Sequence, residues 1–209
     1  MVGADKTRGV RRTGPVISTR RGTLAWMLAF LRIARRTPER LLHPWRRARA
    51  RGRLAAGAAP STVLVVCHGN ICRSPYAAGA LRRLVPPPVR VESAGLVGPH
   101  RSAPPEAVDV AGERGIDLRR HSSRLASPAA IAKADLVIVM EPGQAASLRS
   151  IGRPKRPILA LGDLDPAPVT HRTIRDPVEQ PRHVFAESYD RIDRCLAELV
   201  NTIWGRRSG

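Results

Sequence analysis

Cys67 and Arg73 stand at the two ends of the run Cys67-His68-Gly69-Asn70-Ile71-Cys72-Arg73, followed by Ser74 and Pro75. A thiolate is a strong nucleophile, and an arginine offers a planar fork that matches two phosphate oxygens. Gly69 and Asn70 between them tolerate left-handed backbone. Such a loop can turn its N–H groups inward and, with the positive end of a following helix, cradle an anion. Cys67 at the base of the cradle would feel that field, which favours the nucleophilic thiolate. Together they suit phosphoryl transfer through a covalent phosphocysteine. Alone, a cysteine at a strand end reads as a buried structural thiol; the combination of residues is what lifts it above that reading.

The elements that must hold this loop are legible on either side. Ser61-Thr62-Val63-Leu64-Val65-Val66 is a short, β-branched, apolar run, the pattern of a buried parallel strand. Beyond the loop, Tyr76 to Leu84 reads as a helix, with Ser74 suited to its N-cap and Pro75 to its first position. The pattern predicts one α/β domain: a four-stranded parallel sheet with helices on both faces and a phosphate-binding loop after the first strand. Strands are expected near 62–67, 88–93, 135–140 and 157–161, and helices near 75–84, 104–114, 142–150 and 183–203. In such sheets ligands bind at the carboxyl ends of the strands, which is where Cys67 falls.

The stretch Val66-Cys67-His68-Gly69-Asn70-Ile71-Cys72-Arg73-Ser74-Pro75 resembles the signature of the low-molecular-weight protein-tyrosine phosphatase family. The likeness continues through Ser93-Ala94-Gly95, Gly115-Ile116 to His121, Ala134 to Glu141, Asp176-Pro177 and the amphipathic run Phe185 to Ile203. It implies that Cys67 is the nucleophile and Arg73 the phosphate ligand. It implies that Asp176 is the general acid, a role its spacing alone does not suggest, since Asp-Pro is a common turn. His68, Gly69, Asn70, Ile71, Cys72 and Ser74 would form the substrate-binding loop. Ser93 and His121 would support it, and Ser74 would also donate to the leaving sulfur. Neither metal nor other cofactor is implied. Cys72 is either a redox partner for oxidised Cys67 or a small buried residue, and Cys195 is expected in the core.

The sequence departs from the family at Ala78, where a glutamate is common, and at Val178-Glu179-Gln180, where many tyrosine-specific members carry aromatics after the Asp-Pro pair. Sister activities also fit the scaffold. Arginine phosphatases of this kind tend to have threonine where Ile71 stands, and its bulk favours an aryl phosphate. Thioredoxin-coupled arsenate reductases need a cysteine pair after the third strand, and no cysteine lies between Cys72 and Cys195. A catalytically idle phosphopeptide-binding module is the alternative from another class.

Composition divides the chain. Of 209 residues, 36 are Lys or Arg and 17 Asp or Glu, a formal charge of +19. Residues 1–60 hold 15 bases against two acids, a net of +13, and residues 61–209 hold 21 against 15, a net of +6. The expected organisation is a basic N-terminal extension over 1–60, partly disordered with an amphipathic helix, and a phosphatase domain over 61–209. A small-residue linker from Gly52 to Pro60 would join them. Leu24 to Leu31 is apolar but far shorter than the ~20 residues a membrane span needs. The extension reads as an anchor on an anionic membrane surface through 23–53, a weak export signal at Arg20-Arg21, or an ordinary basic tail. No motif for specific nucleic-acid binding is present. A reduced catalytic thiol favours the cytoplasm, and the resemblance suggests a membrane-bound tyrosine kinase as phosphoprotein substrate.

Overall fold

The computed structural model describes residues 39–205. The expected disorder over 1–22 and the helix near 23–31 lie outside the described residues. From the N-terminal side the elements are a helix over 39–56 (α1), then β1 (Thr62–Cys67), α2 (Arg73–Leu84), β2 (Arg90–Gly95), α3 (Pro105–Glu113) and α4 (Pro128–Lys133). β3 (Leu136–Val139), α5 (Gln144–Ile151), β4 (Leu159–Ala160), a 3-10 turn (Leu161–Leu164) and α6 (Arg182–Ile203) follow. The four strands form one parallel sheet in the order β2-β1-β3-β4.

β1 is central and buried along its whole length. Its side chains alternate between two cores. Val63 and Val65 face α2, α3 and α6 beside Tyr76, Leu81, Val110 and Leu196. Leu64 and Val66 face α4 and α5 beside Ile131 and Leu148. α6 closes the first core with Phe185, Tyr189, Ile192, Leu196, Leu199 and Ile203, all buried at helical spacing. Each such side chain contributes about 1.5–3 kcal/mol by leaving water. Tyr189 stacks on Tyr76 of α2 with ring centroids 3.8 Å apart, and Cys195 is buried in the same core, as expected.

The strand bounds differ from the expected ones for local reasons. β2 begins at Arg90 rather than 88 because Pro86, Pro87 and Pro88 offer no N–H to the ladder. β3 stops at Val139 because the Met140 N–H is taken by Gln144 Oε1 at 3.0 Å. Its start is fixed by Asp135, whose carboxylate accepts from the N–H groups of Ser61 (3.0 Å) and Thr62 (3.1 Å) and so ties two strand beginnings together. Lys155 holds that carboxyl well below its usual range, with the Ser61 hydroxyl adding to the effect.

Two expectations need correction. Ser74 is not the N-cap of α2: the helix starts at Arg73, the cap position is Cys72, and no side chain caps it. The Ser74 hydroxyl is drawn instead toward the sulfur of Cys67. Pro75 accordingly lies at the third helical position. The stretch from Gly52 is not a free linker either, since α1 continues through it to residue 56. Ala50 of α1 is buried, and Arg47 and Arg51 pair with Glu198 of α6 at 2.9 and 2.8 Å. Among the described residues no helix is long and apolar enough to cross a membrane.

Candidate active site

The loop between β1 and α2 is organised by Asn70. Its backbone has φ of 52°, in the left-handed region that asparagine tolerates. Its Nδ2 donates to Ser74 Oγ at 2.9 Å and Ser93 Oγ at 3.0 Å, and its Oδ1 accepts the Arg124 N–H at 3.0 Å. The Asn70 carbonyl lies 2.6 Å from His121 Nε2. A carbonyl can only accept, so His121 carries its proton on Nε2. Thus Ser93, within β2, and His121, in the segment after α3, meet at one loop residue.

The end of β2 also presses on the loop. The His68 carbonyl accepts from the N–H groups of Leu96 (2.7 Å) and Val97 (3.1 Å). A Cβ on Gly95 would come within 2.9 Å of the Gly69 carbonyl carbon, so only glycine permits this approach.

Within the loop, Cys67 Sγ accepts the Asn70 N–H at 3.2 Å and lies 3.0 Å from Ser74 Oγ. Cys67, His68, Gly69, Ile71, Cys72 and Arg73 line a cavity of about 90 Å3 together with Arg101, Asp176 and Val178. Asn70 and Ser74 stand behind this wall. His68 is exposed, whereas Cys72 is buried. Burial pushes the Cys72 thiol far up, and the nearby Asp176 carboxylate adds to the shift.

Arg73 is 1% exposed. Its Nη1 donates to Glu141 Oε1 at 2.8 Å and to the Ile174 carbonyl at 2.9 Å, and its Nη2 donates to Asp176. A guanidinium this deep requires pairing, because unpaired burial of a charge is prohibitively costly. Its Nε is buried with no partner among the described residues, a donor that a bound oxyanion would satisfy.

Several of these groups escape the sequence. Glu141 follows β3 at its carboxyl end, the position where ligands gather in parallel sheets, so a signal for it existed. Gln144 holds it, donating from Nε2 to Glu141 Oε1 at 3.0 Å. Arg101 reaches the loop by donating from Nη2 to the Gly69 carbonyl at 3.2 Å, and no motif announces it.

The family model for low molecular weight phosphotyrosine protein phosphatase matches residues 62–207. The chain belongs to this family. Its cysteine-dependent phosphatases include a probable low molecular weight protein-tyrosine-phosphatase, EpsP, of Ralstonia nicotianae, 35% identical over 144 residues. That match spans 68% of this chain and 95% of the relative. Wzb of Escherichia coli K12 is 36% identical over 147 residues, with the same two coverages. Among solved structures, Vibrio vulnificus Wzb in complex with benzylphosphonate matches with a TM-score of 0.61 at 29% identity, over 68% of this chain and 97% of that one. An arginine phosphatase, YwlE of Geobacillus stearothermophilus, matches with a TM-score of 0.58 at 26% identity, over 71% and 96%. The shared scaffold therefore does not by itself separate the two phosphatase activities.

Proposed function

We propose that this protein hydrolyses protein phosphotyrosine, with Cys67 as nucleophile, Arg73 as phosphate ligand and Asp176 as general acid and base. The observation that carries the reading is the convergence of these three side chains, two from the ends of the loop after β1 and one from the distant segment before α6, on one small cavity. In the first step the Cys67 thiolate attacks phosphorus and the P–O bond to the tyrosine breaks. Asp176 gives its proton to the leaving phenolate. Arg73 and the N–H groups of the loop stabilise the charge that spreads over the transferring phosphoryl oxygens. In the second step Asp176 takes a proton from water, the water oxygen attacks phosphorus, and the S–P bond breaks while Ser74 donates to the leaving sulfur.

Arg73 must change partners during this cycle. A bound phosphate competes with Asp176 for the guanidinium and frees the acid to face the leaving oxygen, while Glu141 keeps hold of Nη1. Selectivity for an aryl ester rests on Ile71 and Val178, the aliphatic side chains on the cavity wall, which suit the face of a ring better than a charged guanidino group. The benzyl group in the Vibrio vulnificus Wzb complex supports an aryl occupant. Turnover of phosphotyrosine, phosphoserine and phosphoarginine peptides by wild type and Asp176→Ala tests this. Preference for phosphoarginine would overturn the tyrosine assignment, and unchanged turnover in the variant would overturn the acid.

We further propose that residues 61–209 form the catalytic domain and that residues 1–60 are a basic extension that brings it to the inner membrane surface from the cytoplasm. A membrane-bound tyrosine kinase would then be the phosphoprotein substrate. Leu41, Leu42 and Trp45 of α1 are 73%, 43% and 60% exposed beside Arg40 and Arg49, the mixture that favours an anionic interface. Sedimentation with anionic liposomes that is unaffected by removing residues 1–60 would refute the membrane contact.

A further inference from the structure

A second cavity, much larger than the one at Cys67, is present among the described residues. It measures about 690 Å3 and lies between α1 and the β4 edge of the sheet, within the ~300–1,000 Å3 range of small-ligand sites. It shares no residue with the catalytic cavity.

Its two halves differ in character. The floor is apolar, built from Leu136 and Val139 of β3, Ile158, Leu159 of β4, and Trp45 and Leu54 of α1. The rim carries six arginines and one acid: Arg46, Arg49, Arg53, Arg149, Arg156 and Arg172, against Asp163. Asp163 is already neutralised, because Arg172 holds both its oxygens at 2.7 Å. Arg46 is paired with Glu39, and Arg156 donates to the Ala58 carbonyl at 2.9 Å. Arg49, Arg53 and Arg149 have no carboxylate partner among the described residues, and Arg49 lies 5.4 Å over the ring of Trp45. The adjoining loop adds Arg153 and Lys155 to the same side.

Charge and shape together restrict the occupant. Cations are repelled by the rim, and residues 1–38 of this chain, with nine Lys or Arg against one acid, would be repelled likewise. A compact anion such as inorganic phosphate would satisfy the arginines yet leave the apolar floor wet. A neutral apolar molecule would cover the floor and strand the rim. An anionic head joined to an apolar chain satisfies both.

We propose that this cavity binds a single anionic lipid, its phosphodiester held by Arg49, Arg53 and Arg149 and its acyl chain laid over the floor formed by β3, β4 and α1. This is a discrete, saturable site, and it does not depend on the catalytic assignment, since a phosphodiester is not a substrate for phosphomonoester hydrolysis.

The test is isothermal titration of the full-length chain with myristoyl lysophosphatidylglycerol below its micelle concentration. One equivalent is expected to bind. Lysophosphatidylcholine of the same chain length is expected to bind at least tenfold more weakly, and the deacylated head group, glycerophosphoglycerol, to give no saturable heat. The double variant Arg53→Glu/Arg149→Glu is expected to weaken binding at least tenfold. Ala56→Phe, which narrows the cavity from α1 without altering charge, is expected to weaken it as well. Melting transitions check that both variants fold, and Ala56→Phe decides if the charge variant does not. Absence of binding by the full chain would overturn the proposal. So would equal affinity for the two lipids, uptake of many equivalents, or variants that bind as wild type.

Discussion

The hydroxyl of Ser74 stands 3.0 Å from the sulfur of Cys67 and 3.3 Å from the carbonyl oxygen of Ala94, and it has one proton to give. Asn70 Nδ2 occupies one of its lone pairs. When Cys67 is a thiol, the S–H can donate to Ser74 and Ser74 to Ala94. When the sulfur carries charge, the Ser74 proton turns to it. The hydroxyl can therefore turn its proton to a charged sulfur, as the proposed cleavage of the S–P bond requires. Ser74→Ala is expected to slow breakdown of the phosphocysteine more than its formation. Stopped-flow turnover of p-nitrophenyl phosphate should show a burst of nitrophenolate followed by a steady state slower than that of wild type, with kcat lowered roughly tenfold, about the loss of one charge-assisted hydrogen bond. A uniform fall in both steps would remove the leaving-group role.

Asp176 is expected to matter in proportion to the basicity of the leaving group. Asp176→Asn keeps the size and removes the proton donor. Its kcat/KM, which reports the first step, should fall by about 10²–10⁴ on phenyl phosphate and much less on p-nitrophenyl phosphate, whose leaving group needs little protonation. A leaving-group series on wild type and variant measures this. Equal losses in kcat/KM along the series would overturn the role of Asp176 as acid to the leaving group.

Asn70 ties the loop to Ser74, Ser93 and the Arg124 N–H, and its left-handed backbone adds a requirement that alanine meets poorly. Asn70→Ala is expected to cost about 2–4 kcal/mol of stability, from several buried hydrogen bonds and one strained backbone position. Urea unfolding followed by circular dichroism measures it. A loss under about 0.5 kcal/mol would mean that water replaces the network without penalty.

Cys72 lies on the cavity wall as a buried thiol pushed far above the ordinary cysteine range. At neutral pH it is overwhelmingly protonated, and its thiolate fraction grows with rising pH. If it resolves oxidised Cys67, the Cys67 sulfenic acid and the Cys72 thiol combine to a disulfide with release of water. The fraction of peroxide-treated enzyme rescued by a thiol reductant should then increase from pH 7 to pH 9, and Cys72→Ala should abolish that increase. A rescue independent of pH, or identical in the variant, would assign Cys72 to packing alone.

The parts of this fold that could be read in advance are those written in contiguous sequence. Val63 to Val66, the Gly69-Asn70 turn and the helix after it lie within one short segment, so strand, loop and helix follow from local pattern. The family resemblance pointed to Ser93 and His121, which meet at Asn70, and to Asp176, which lines the cavity. Glu141 was signalled only by its place after the third strand, and Gln144 and Arg101 were not legible as site residues, because their roles depend on the sheet order β2-β1-β3-β4 and on side-chain reach across it. Ser74 misled for the opposite reason. Its type suits a helix cap, but a nearby sulfur and the Asn70 amide compete for the same hydroxyl. The small residues from Gly52 to Pro60 suggested a linker, whereas the contacts of α1 with α6 carry the helix through them.

Those contacts lead to an expectation for truncation. Arg47 and Arg51 pair with Glu198, His43 Nε2 donates to the Asp165 carbonyl at 2.9 Å, and Ala50 and Leu54 add to the core beneath. Ion pairs with partly exposed arginines contribute little, about 0–1 kcal/mol, so most of the docking energy is the burial of α1 itself. A protein beginning at Pro60 is therefore expected to lose about 1–3 kcal/mol and to melt several degrees lower, roughly 2–12 °C for a domain of this size. Glu198→Ala in the full chain should reproduce only a small part of that loss. Turnover of p-nitrophenyl phosphate should stay within about twofold, because no residue of α1 lines the catalytic cavity. An unchanged melting temperature would show that α1 does not dock in solution, and a collapse of turnover at full folding would show that the extension shapes the active site.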